Sequence, residues 1–289
     1  MSELLSEIRA ENSHFSRMFS IRFGENLSTY SRPVVMGIVN LTPDSFFSGS
    51  RFSGSDAVLQ QVELMLRDGA DWIDLGGYST RPGASDVSLE DEITRTAPVI
   101  AALRKEFPQL PISIDTFRGA VAKAAWENGA SMLNDISAGS LDHTLFKVLA
   151  DWKCPYILMH SRGTPQTMNQ LTTYDNLFMD IARFFSEKIA EVQALGVNDI
   201  MLDPGFGFAK SIEQNFDLLR NLDRFQFLGK PILAGLSRKS MIWKSLSITP
   251  EEALNGTSVV NTIALMKGAA VLRVHDVKEA KQLVDLIIS

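Results

Sequence analysis

The chain has 289 residues, 45% of them hydrophobic, and a net charge of −6, which allows one sizeable core but is the wrong sign of charge for wrapping a nucleic acid. Its one cysteine, Cys154, excludes an internal disulfide. No apolar run approaches the length of a membrane span and residues 1–13 lack the basic-then-apolar order of a signal peptide, so we expect a cytoplasmic protein with neither a nucleic-acid nor a membrane partner.

The N-terminal region predicts two short elements. Residues 1–13 are polar and indicate a short helix or a frayed end. From residue 15 to residue 30 apolar and polar side chains alternate, and Gly24-Glu25-Asn26 can supply a turn, so this segment is predicted as a β-hairpin. We assign residues 1–33 to an N-terminal segment that packs on the rest of the chain.

From residue 34 onward, predicted strands and helices alternate. The almost wholly apolar run at 34–41 is typical of a strand covered on both faces. The other predicted strands lie at 72–75, 112–114, 131–136, 156–159, 199–202, 232–234 and 271–274. The predicted helices lie at 55–67, 89–107, 118–128, 143–151, 176–195, 212–225, 251–267 and 277–287, with a further short helix near residue 241.

A weak internal repeat supports this order of elements. A glycine stands between a helix and the next strand before the second, fourth, sixth and eighth predicted strands, at Gly69, Gly129, Gly196 and Gly268. Eight βα units in a chain of this length predict a single (β/α)8 TIM barrel over residues 34–289, preceded by the hairpin. An open doubly wound sheet is the alternative. We expect the hairpin to plug the barrel floor, where apolar side chains need cover.

The stretch from Ile200 to Phe208 predicts where the chemistry lies. Its apolar run ends on Asp203, and a proline and two glycines then break the strand. A strand followed by a capped helix would look the same, but similar polar residues end every predicted strand. Active sites of such barrels form at these strand ends. The ring consists of Asn40, residues 76–83, Asp115, Asn134, Asp135, residues 160–162, Asp203, residues 237–239 and residues 273–276.

The ring divides by charge. Asp115, Asn134 and Asp203 suit a flat heterocycle whose ring and exocyclic N–H groups a carboxylate can receive. The cations suit a phosphate-like anion in an otherwise acidic protein; they are Arg81, Lys239, Arg273 and His275. Taken singly, Lys239 could be a solvated lysine at a helix start and His275 a helix cap. Together, these residues predict a ligand with a polar heterocycle at one end and a phosphate group at the other.

Six motifs, in order from about residue 34 to the C-terminus, resemble those of the dihydropteroate synthase family. They are Gly37-Ile-Val-Asn-Leu-Thr-Pro-Asp-Ser-Phe46, Asp74-Leu-Gly-Gly-Tyr-Ser-Thr-Arg-Pro-Gly83, Leu133-Asn-Asp-Ile136, Leu202-Asp-Pro-Gly-Phe-Gly-Phe208, Gly235-Leu-Ser-Arg-Lys239 and Arg273-Val-His-Asp276. The resemblance implies a homodimeric (β/α)8 barrel that condenses p-aminobenzoate with 7,8-dihydropterin-6-ylmethyl diphosphate in folate biosynthesis. It also implies a transferase that sulfonamides target, and a dissociative reaction in which diphosphate leaves before the amine attacks.

The resemblance also implies a role for each matching position, with Asp115, Asp203 and Lys239 as the catalytic residues. The pterin-binding positions are Asp115, Asn134, Met159, Asp203, Phe208 and Lys239. The diphosphate-binding positions are Asn40, Thr80, Arg81, Arg273 and His275, and Asn40 is the position that meets a magnesium cofactor. The p-aminobenzoate-binding positions are Thr80, Arg81, Pro82 and Ser240.

Three departures from the family pattern and two rival functions remain. Phe47-Ser48-Gly49 replaces the more usual serine, aspartate and glycine after the first motif, and Ser161 stands where methionine is frequent. Tyr78 stands where the family commonly has glutamate. It belongs to the loop after the second predicted barrel strand, here called the second loop, and the contacts of this loop are left open. A pterin-binding methyltransferase domain would share the barrel and the two pterin-facing aspartates. It would not need the Ser-Thr-Arg-Pro-Gly loop or the Arg-Val-His ending. A non-catalytic paralogue that only binds a pterin is the other rival, and the complete set of cations argues against it.

Overall fold

The computed structural model describes residues 18–41, 54–78 and 87–289. In these ranges, an antiparallel hairpin of β1 (Phe19–Phe23) and β2 (Asn26–Tyr30) precedes a closed barrel of parallel strands. The barrel strands, in chain order, are β3 (Val34–Asn40), β4 (Trp72–Gly76), β5 (Ile112–Asp115), β6 (Met132–Asp135), β7 (Tyr156–Met159), β8 (Ile200–Asp203), β9 (Ile232–Ala234) and β10 (Ala269–Val274). Strand β10 pairs with both β9 and β3, which closes the barrel. The predicted (β/α)8 barrel is therefore confirmed, and the open sheet is wrong.

Helices follow the barrel strands on the outside. Within the described ranges they are α1 (Gly54–Arg67), α2 (Leu89–Glu106), α3 (Gly119–Glu127), α4 (Thr144–Trp152), α5 (Leu177–Ala194), α6 (Ile212–Arg220), α7 (Ser240–Leu246), α8 (Leu254–Met266) and α9 (Val277–Ile288). The predicted helix at 212–225 is too long. The Asn221 side chain donates to the carbonyl of Asp217 over 2.9 Å and ends α6, and a 3-10 helix follows at Leu222–Leu228.

The glycine repeat marks tight returns from helix to strand. Gly69 and Gly129 both adopt φ of 101°, and Gly196 and Gly268 adopt 86° and 85°. These left-handed values strain any residue with a Cβ but cost glycine little. Each glycine thus lets the chain leave its helix and enter the next strand within a few residues.

The hairpin covers the N-terminal end of the barrel, as expected. Trp72, at the start of β4, is fully buried, and its indole N–H donates to the Tyr30 hydroxyl over 2.9 Å. The rings of Phe19, Phe23 and Tyr30 all pack edge-on against Trp72, with centroids 5.3 to 6.4 Å away. Ile21 of β1 is buried in the same apolar cluster as Met132 and other residues near the starts of barrel strands. These contacts involve residues 19–30 of the hairpin, and residues 1–17 lie outside the described ranges.

None of the described helices combines the length and apolar character needed to cross a lipid bilayer.

Candidate active site

Alternating residues of the strands point into the barrel, and near the C-terminal ends these residues are polar. Arg273 on β10 lies at the centre of one group. Its guanidinium donates to Asp74 on β4 over 2.5 Å and to Asp115 on β5 over 2.6 Å. Asn134 on β6 donates to the same Asp74 oxygen over 3.0 Å. Four strands are therefore joined across the mouth of the barrel by one network of charges.

Burial sets the electrostatics of this network. It raises the pKa of Asp115 to about 7, because removal from water disfavours the carboxylate more than Arg273 favours it, and Asp74 adds repulsion. Burial also acts to lower the pKa of Arg273, but Asp74 and Asp115 outweigh it, so that the pKa lies above its usual value. Among the described residues, none pairs with the second carboxylate oxygen of Asp74, which is fully buried. The network thus keeps an acceptor for a further donor.

A second group surrounds Asp203, at the end of β8. The Gly205 N–H donates to the Asp203 carboxylate over 2.8 Å. Lys239, just after β9, donates to the carbonyl of Phe206 over 2.5 Å, and its ammonium lies 4.3 Å from the centre of the Phe208 ring. A carboxylate, an ammonium group and an aromatic face therefore meet on one side of the mouth.

This second group is also withdrawn from water. Burial raises the pKa of Asp203, opposed by the Gly205 N–H and the charge of Lys239. Burial lowers the pKa of Lys239 to about 8, although Asp203 raises it again in part. Charges of both signs in a desolvated cleft are typical of a site that binds and stabilises charge.

The remaining predicted residues lie around these two groups. Asn40 ends β3 in register with Gly76, and Gly76 in turn is in register with Asp115. Met159 ends β7 in register with Asp203. The backbone N–H of His275 donates to the Ser237 hydroxyl, and its Nδ1 lies 3.1 Å from the same oxygen. The others are Ser240, the first residue of α7, and Thr80, Arg81 and Pro82, which lie outside the described residues.

Three residues of the predicted ring bind other parts of the protein instead of facing the barrel mouth. Asp135 neighbours Asn134 but faces away from the mouth, and it accepts hydrogen bonds from Ser137, Gly139 and the Tyr156 hydroxyl. The other two are Arg238 and His160. Arg238 forms a two-point ion pair with Asp276 at 2.8 and 2.9 Å. His160 is buried against Phe184 and Lys210, and burial holds its pKa well below the usual value.

Asp74 is the functional residue that the sequence analysis missed. Asp74 begins the second of the six family motifs, but the motif pattern assigns it no role. The signal that could have found it is the alternation of β4: Trp72, Asp74 and Gly76 share the inward face, and only Asp74 among them carries a charge. A carboxylate inside a barrel needs a cation, and Arg273 supplies it.

The region beside the second loop has its own ion pair. Glu92 is fully buried and accepts from Arg118 over 2.9 Å and from the Thr116 hydroxyl over 2.8 Å. The Arg118 guanidinium also lies 5.3 Å from the Tyr78 ring centre and donates to the carbonyl of Val87. Arg118 thus contacts the described residue on each side of 79–86, and Tyr78 stacks on this cation.

Comparisons with known proteins agree with this geometry. A family model described as "pterin binding enzyme" matches residues 36–275. A dihydropteroate synthase of Synechocystis is 47% identical over 255 residues, covering 87% of this chain and 88% of the relative. A solved Yersinia pestis dihydropteroate synthase with a sulfonamide drug complex is 39% identical, with a TM-score of 0.87, covering 93% of this chain and 98% of that one.

Two solved structures of the Xanthomonas albilineans dihydropteroate synthase are also similar. The one with 4-aminobenzoic acid is 37% identical, with a TM-score of 0.86, and the match covers 94% of this chain and 97% of that one. The one with 7,8-dihydropteroate is 34% identical, with a TM-score of 0.83, and covers 93% and 97%. These relatives are dihydropteroate synthases, and they favour the synthase over the methyltransferase rival.

Proposed function

The chain belongs to the pterin-binding enzymes and, among them, to the dihydropteroate synthases, and from this premise we propose how its residues join p-aminobenzoate to 7,8-dihydropterin-6-ylmethyl diphosphate. The products are 7,8-dihydropteroate and diphosphate. The observation that carries the proposal is the pair of desolvated groups at the barrel mouth, one around Arg273 and one around Asp203 and Lys239.

The pterin ring binds between these two groups. Asp115 and Asp203 accept its N–H donors, since Asp203 is a buried carboxylate, Asp115 is a partly buried one, and each ends a barrel strand. Asn134 supplies an amide, and Lys239 donates to a ring acceptor. Met159 and the Phe208 ring, whose centre lies 4.3 Å from the Lys239 ammonium, pack on the heterocycle.

Diphosphate binds at the neighbouring cations. Arg273 presents a guanidinium whose charge is held by two carboxylates, and a guanidinium suits two phosphate oxygens at once. His275 and Asn40 lie at the ends of β10 and β3, the two strands that pair beside Arg273. Thr80 and Arg81 are assigned to the same group by their family motif alone. That motif also assigns Thr80, Arg81 and Pro82 to p-aminobenzoate, and the family resemblance assigns Ser240 to it as well. Sulfonamides are expected competitors of this amine.

The reaction is dissociative. The bond between the pterin methylene carbon and the diphosphate oxygen breaks first, and its electron pair leaves with diphosphate. The carbocation that remains is conjugated with the pterin ring, where the carboxylates of Asp115 and Asp203 stabilise its positive charge. The amine nitrogen of p-aminobenzoate then forms the new C–N bond and loses one proton. Positioning and charge stabilisation are therefore the main contributions of the protein.

The donor set fits magnesium bound chiefly by substrate. Among the described residues, no cluster of three or more His, Cys, Asp or Glu side chains could hold a metal ion. Mg²⁺ commonly keeps several waters and takes one or two protein oxygens together with substrate phosphates. The Asn40 amide oxygen would be that protein ligand, and the ion would neutralise charge on the leaving diphosphate.

Two further properties complete the proposal. The protein is a homodimer through an apolar stripe on α7 and α8, in which Leu246, Val259 and Met266 are each more than half exposed. Because Val259, Ile263 and Met266 follow the spacing of one helix face, the stripe is continuous and needs cover. Light scattering should give twice the chain mass for the wild type and one chain mass for a Val259→Asp, Met266→Asp double variant.

The protein works in the cytoplasm, in keeping with a single buried cysteine.

The experiment that tests the activity is an assay of diphosphate release from the pterin diphosphate and Mg²⁺, with and without p-aminobenzoate. We expect 7,8-dihydropteroate to form only when the amine is present. Tight pterin binding without release of diphosphate would instead favour the paralogue that binds without turnover. Omission of Mg²⁺ should lower turnover, and unchanged turnover in the presence of a chelator would remove the proposed role of the ion.

A further inference from the structure

The loop of residues 204–209 after β8, here called the β8 loop, sets the positions of two pterin-site groups of opposite charge. Its Gly205 N–H orients the Asp203 carboxylate. Its Phe206 carbonyl receives the Lys239 ammonium, and its Phe208 ring lies beneath the same cation. A shift of the loop would therefore move both the acceptor and the donor that face the pterin.

The backbone of this loop is constrained. Gly205 and Gly207 adopt φ of 70° and 79°, and Ala209 adopts 50° although it carries a Cβ. A Cβ on Gly205 would lie 2.0 Å from the carbonyl oxygen of His160, so the loop rests directly on the end of β7. Backbone of this kind persists only where the surroundings hold it in place.

Lys210 provides much of this support. It is 8% exposed, and its ammonium donates to the carbonyls of Gly205 and Phe208, each over 3.0 Å. The third partner is Nδ1 of His160, at 3.1 Å. An ammonium group has three protons, and three neutral acceptors surround it. Among the described residues, no carboxylate forms an ion pair with Lys210. Two of these acceptors belong to the β8 loop and the third to the chain just after β7.

The loop has two weaker anchors on the same side. The Asn215 side chain accepts from the Gly207 N–H over 2.7 Å, and the Tyr174 hydroxyl donates to the carbonyl of Ala209 over 2.9 Å. Each contacts one loop residue, whereas Lys210 contacts two, on either side of Phe206. Lys210 is thus the side chain that spans the part of the loop that touches Asp203 and Lys239.

We propose that Lys210 is a positioning residue for the pterin site, which holds the β8 loop in the conformation from which Gly205 orients Asp203 and Phe206 receives Lys239. The inference rests on the proposed roles of Asp203 and Lys239 in binding the pterin. Lys210 itself does not touch the substrate. It acts from beneath the loop.

The charges around Lys210 bear on its protonation. The pKa of Lys210 is lowered to about 7, chiefly by burial; the charge of Asp203 opposes this shift, and the charges of Lys239 and Arg162 add to it. His160 contributes no charge, because its own pKa is held well below the usual value. A neutral amine has only two protons, so its three acceptors could no longer all be satisfied. The hold of Lys210 on the β8 loop should therefore weaken as pH rises through about 7.

The test compares Lys210→Met with Lys210→Arg. Methionine matches the length of the lysine but donates no hydrogen bond, whereas arginine keeps its donors and stays charged. For Lys210→Met we expect the KM for the pterin diphosphate to rise about tenfold or more, with the KM for p-aminobenzoate changed less than about threefold. Lys210→Arg should recover at least part of the loss. The matched control is Lys230→Met, since among the described residues Lys230 donates to one partner, the carbonyl of Asn198, between α5 and β8.

The pH profile separates positioning from mere stability. Wild-type kcat/KM for the pterin substrate should fall above a pH of about 7, and in Lys210→Met this limb should move up by about one unit, towards the pKa of about 8 of Lys239. An unmoved limb, or equal changes in both KM values that follow thermal stability alone, would overturn the proposal. If Lys210→Met does not fold, Lys210→Gln undergoes the same measurements. Wild-type turnover in the same assay reports on the proposed function separately.

Discussion

The two ends of the barrel interior are built by the same strands and differ in what fills them. At the N-terminal end, Trp72, Met132, Met201 and Val271 form an apolar layer with no exposed surface. Two residues further along the same strands, on the same inward faces, stand Asp74, Asn134, Asp203 and Arg273. One step of the pleat therefore separates an apolar layer from a charged one.

The difference shows how this barrel separates stability from function. The apolar layer, here called the lower layer, is covered by the aromatic rings of the hairpin, so its burial contributes directly to folding. The charged layer, here called the upper layer, holds its charges away from water, and such burial costs free energy unless the charges are paired. Raised pKa values at Asp115 and Asp203 are signs of that cost. Substitutions in the two layers should therefore change different properties.

The largest effect on activity is expected at the upper layer, for Asp203→Asn. Removing this charge takes away the proposed pterin acceptor and the proposed stabilisation of the cation, so kcat/KM should fall by about 10²–10³-fold or more. The protein should remain folded, because the change removes a buried charge and keeps the shape of the side chain. Steady-state kinetics and thermal unfolding measure the two properties, with exposed Asp175→Asn as the control. Near-normal turnover would refute the assigned role of Asp203.

The largest effect on stability is expected at the lower layer, for Trp72→Ala. The cavity beneath the hairpin should lower the free energy of unfolding by about 3–5 kcal/mol, with kcat at a permissive temperature nearly unchanged. Trp126→Ala is the control, since Trp126 is partly exposed and stacks on Trp152 at the surface. Denaturant unfolding measures the change. Loss of activity without loss of stability would mean that the two layers are not separate.

The pH dependence should have opposite signs for activity and stability at Asp115. Its pKa of about 7 means that the carboxylate proposed to accept from the pterin is lost as pH falls below 7, so kcat/KM should drop about tenfold per pH unit on the acid side. Asp115→Asn should remove this acid limb. A limb that persists in the variant would assign it to another group.

The stability contribution follows from linkage. The folded pKa of Asp115 lies above the value of about 3.9 for an unfolded aspartate, so the folded state holds the proton more tightly. The stabilisation is fully present below a pH of about 4 and is lost as pH rises through about 7. Between these pH limits, the free energy of unfolding should fall less with rising pH in Asp115→Asn than in the wild type.

The smallest effect is expected between the layers, at Ser113. This residue is fully buried on β5, two residues before Asp115 and in register with Asp74. In the described part of the chain, its hydroxyl has no hydrogen-bond partner. Ser113→Ala should therefore leave the free energy of unfolding unchanged or raise it by up to about 1 kcal/mol. A clear destabilisation would mean that the hydroxyl has a partner, such as a bound water, in solution.

Much of the fold could be predicted because each element carries its own local signal. The apolar runs predicted the barrel strands to within a residue or two, and a glycine before every second strand predicted the return from helix to strand. The exact helix ends were less predictable. At α6, a side-chain contact of Asn221 with Asp217 ends the helix before the apolar pattern stops, and that pattern continues into a 3-10 helix.

The candidate site was predictable at the level of strand ends but not of individual faces. Asn134 and Asp135 are neighbours with similar side chains, and Arg238 and Lys239 are neighbouring cations. Only the alternation along a paired strand, or the conformation just after it, decides which of each pair reaches the mouth. Arg238 adopts φ of 54° and turns to Asp276, whereas Lys239 turns to the β8 loop.

The sequence by itself determined the order of the βα units, the polar strand ends and the resemblance to a pterin-binding family, because these are patterns of neighbouring residues. The tertiary structure alone decided which charges meet. Arg273 pairs with Asp74, which lies 199 residues earlier in the chain, and with Asp115, 158 residues earlier. Closure of the barrel between β10 and β3 brings these residues together, and burial in that closed interior shifts their pKa values.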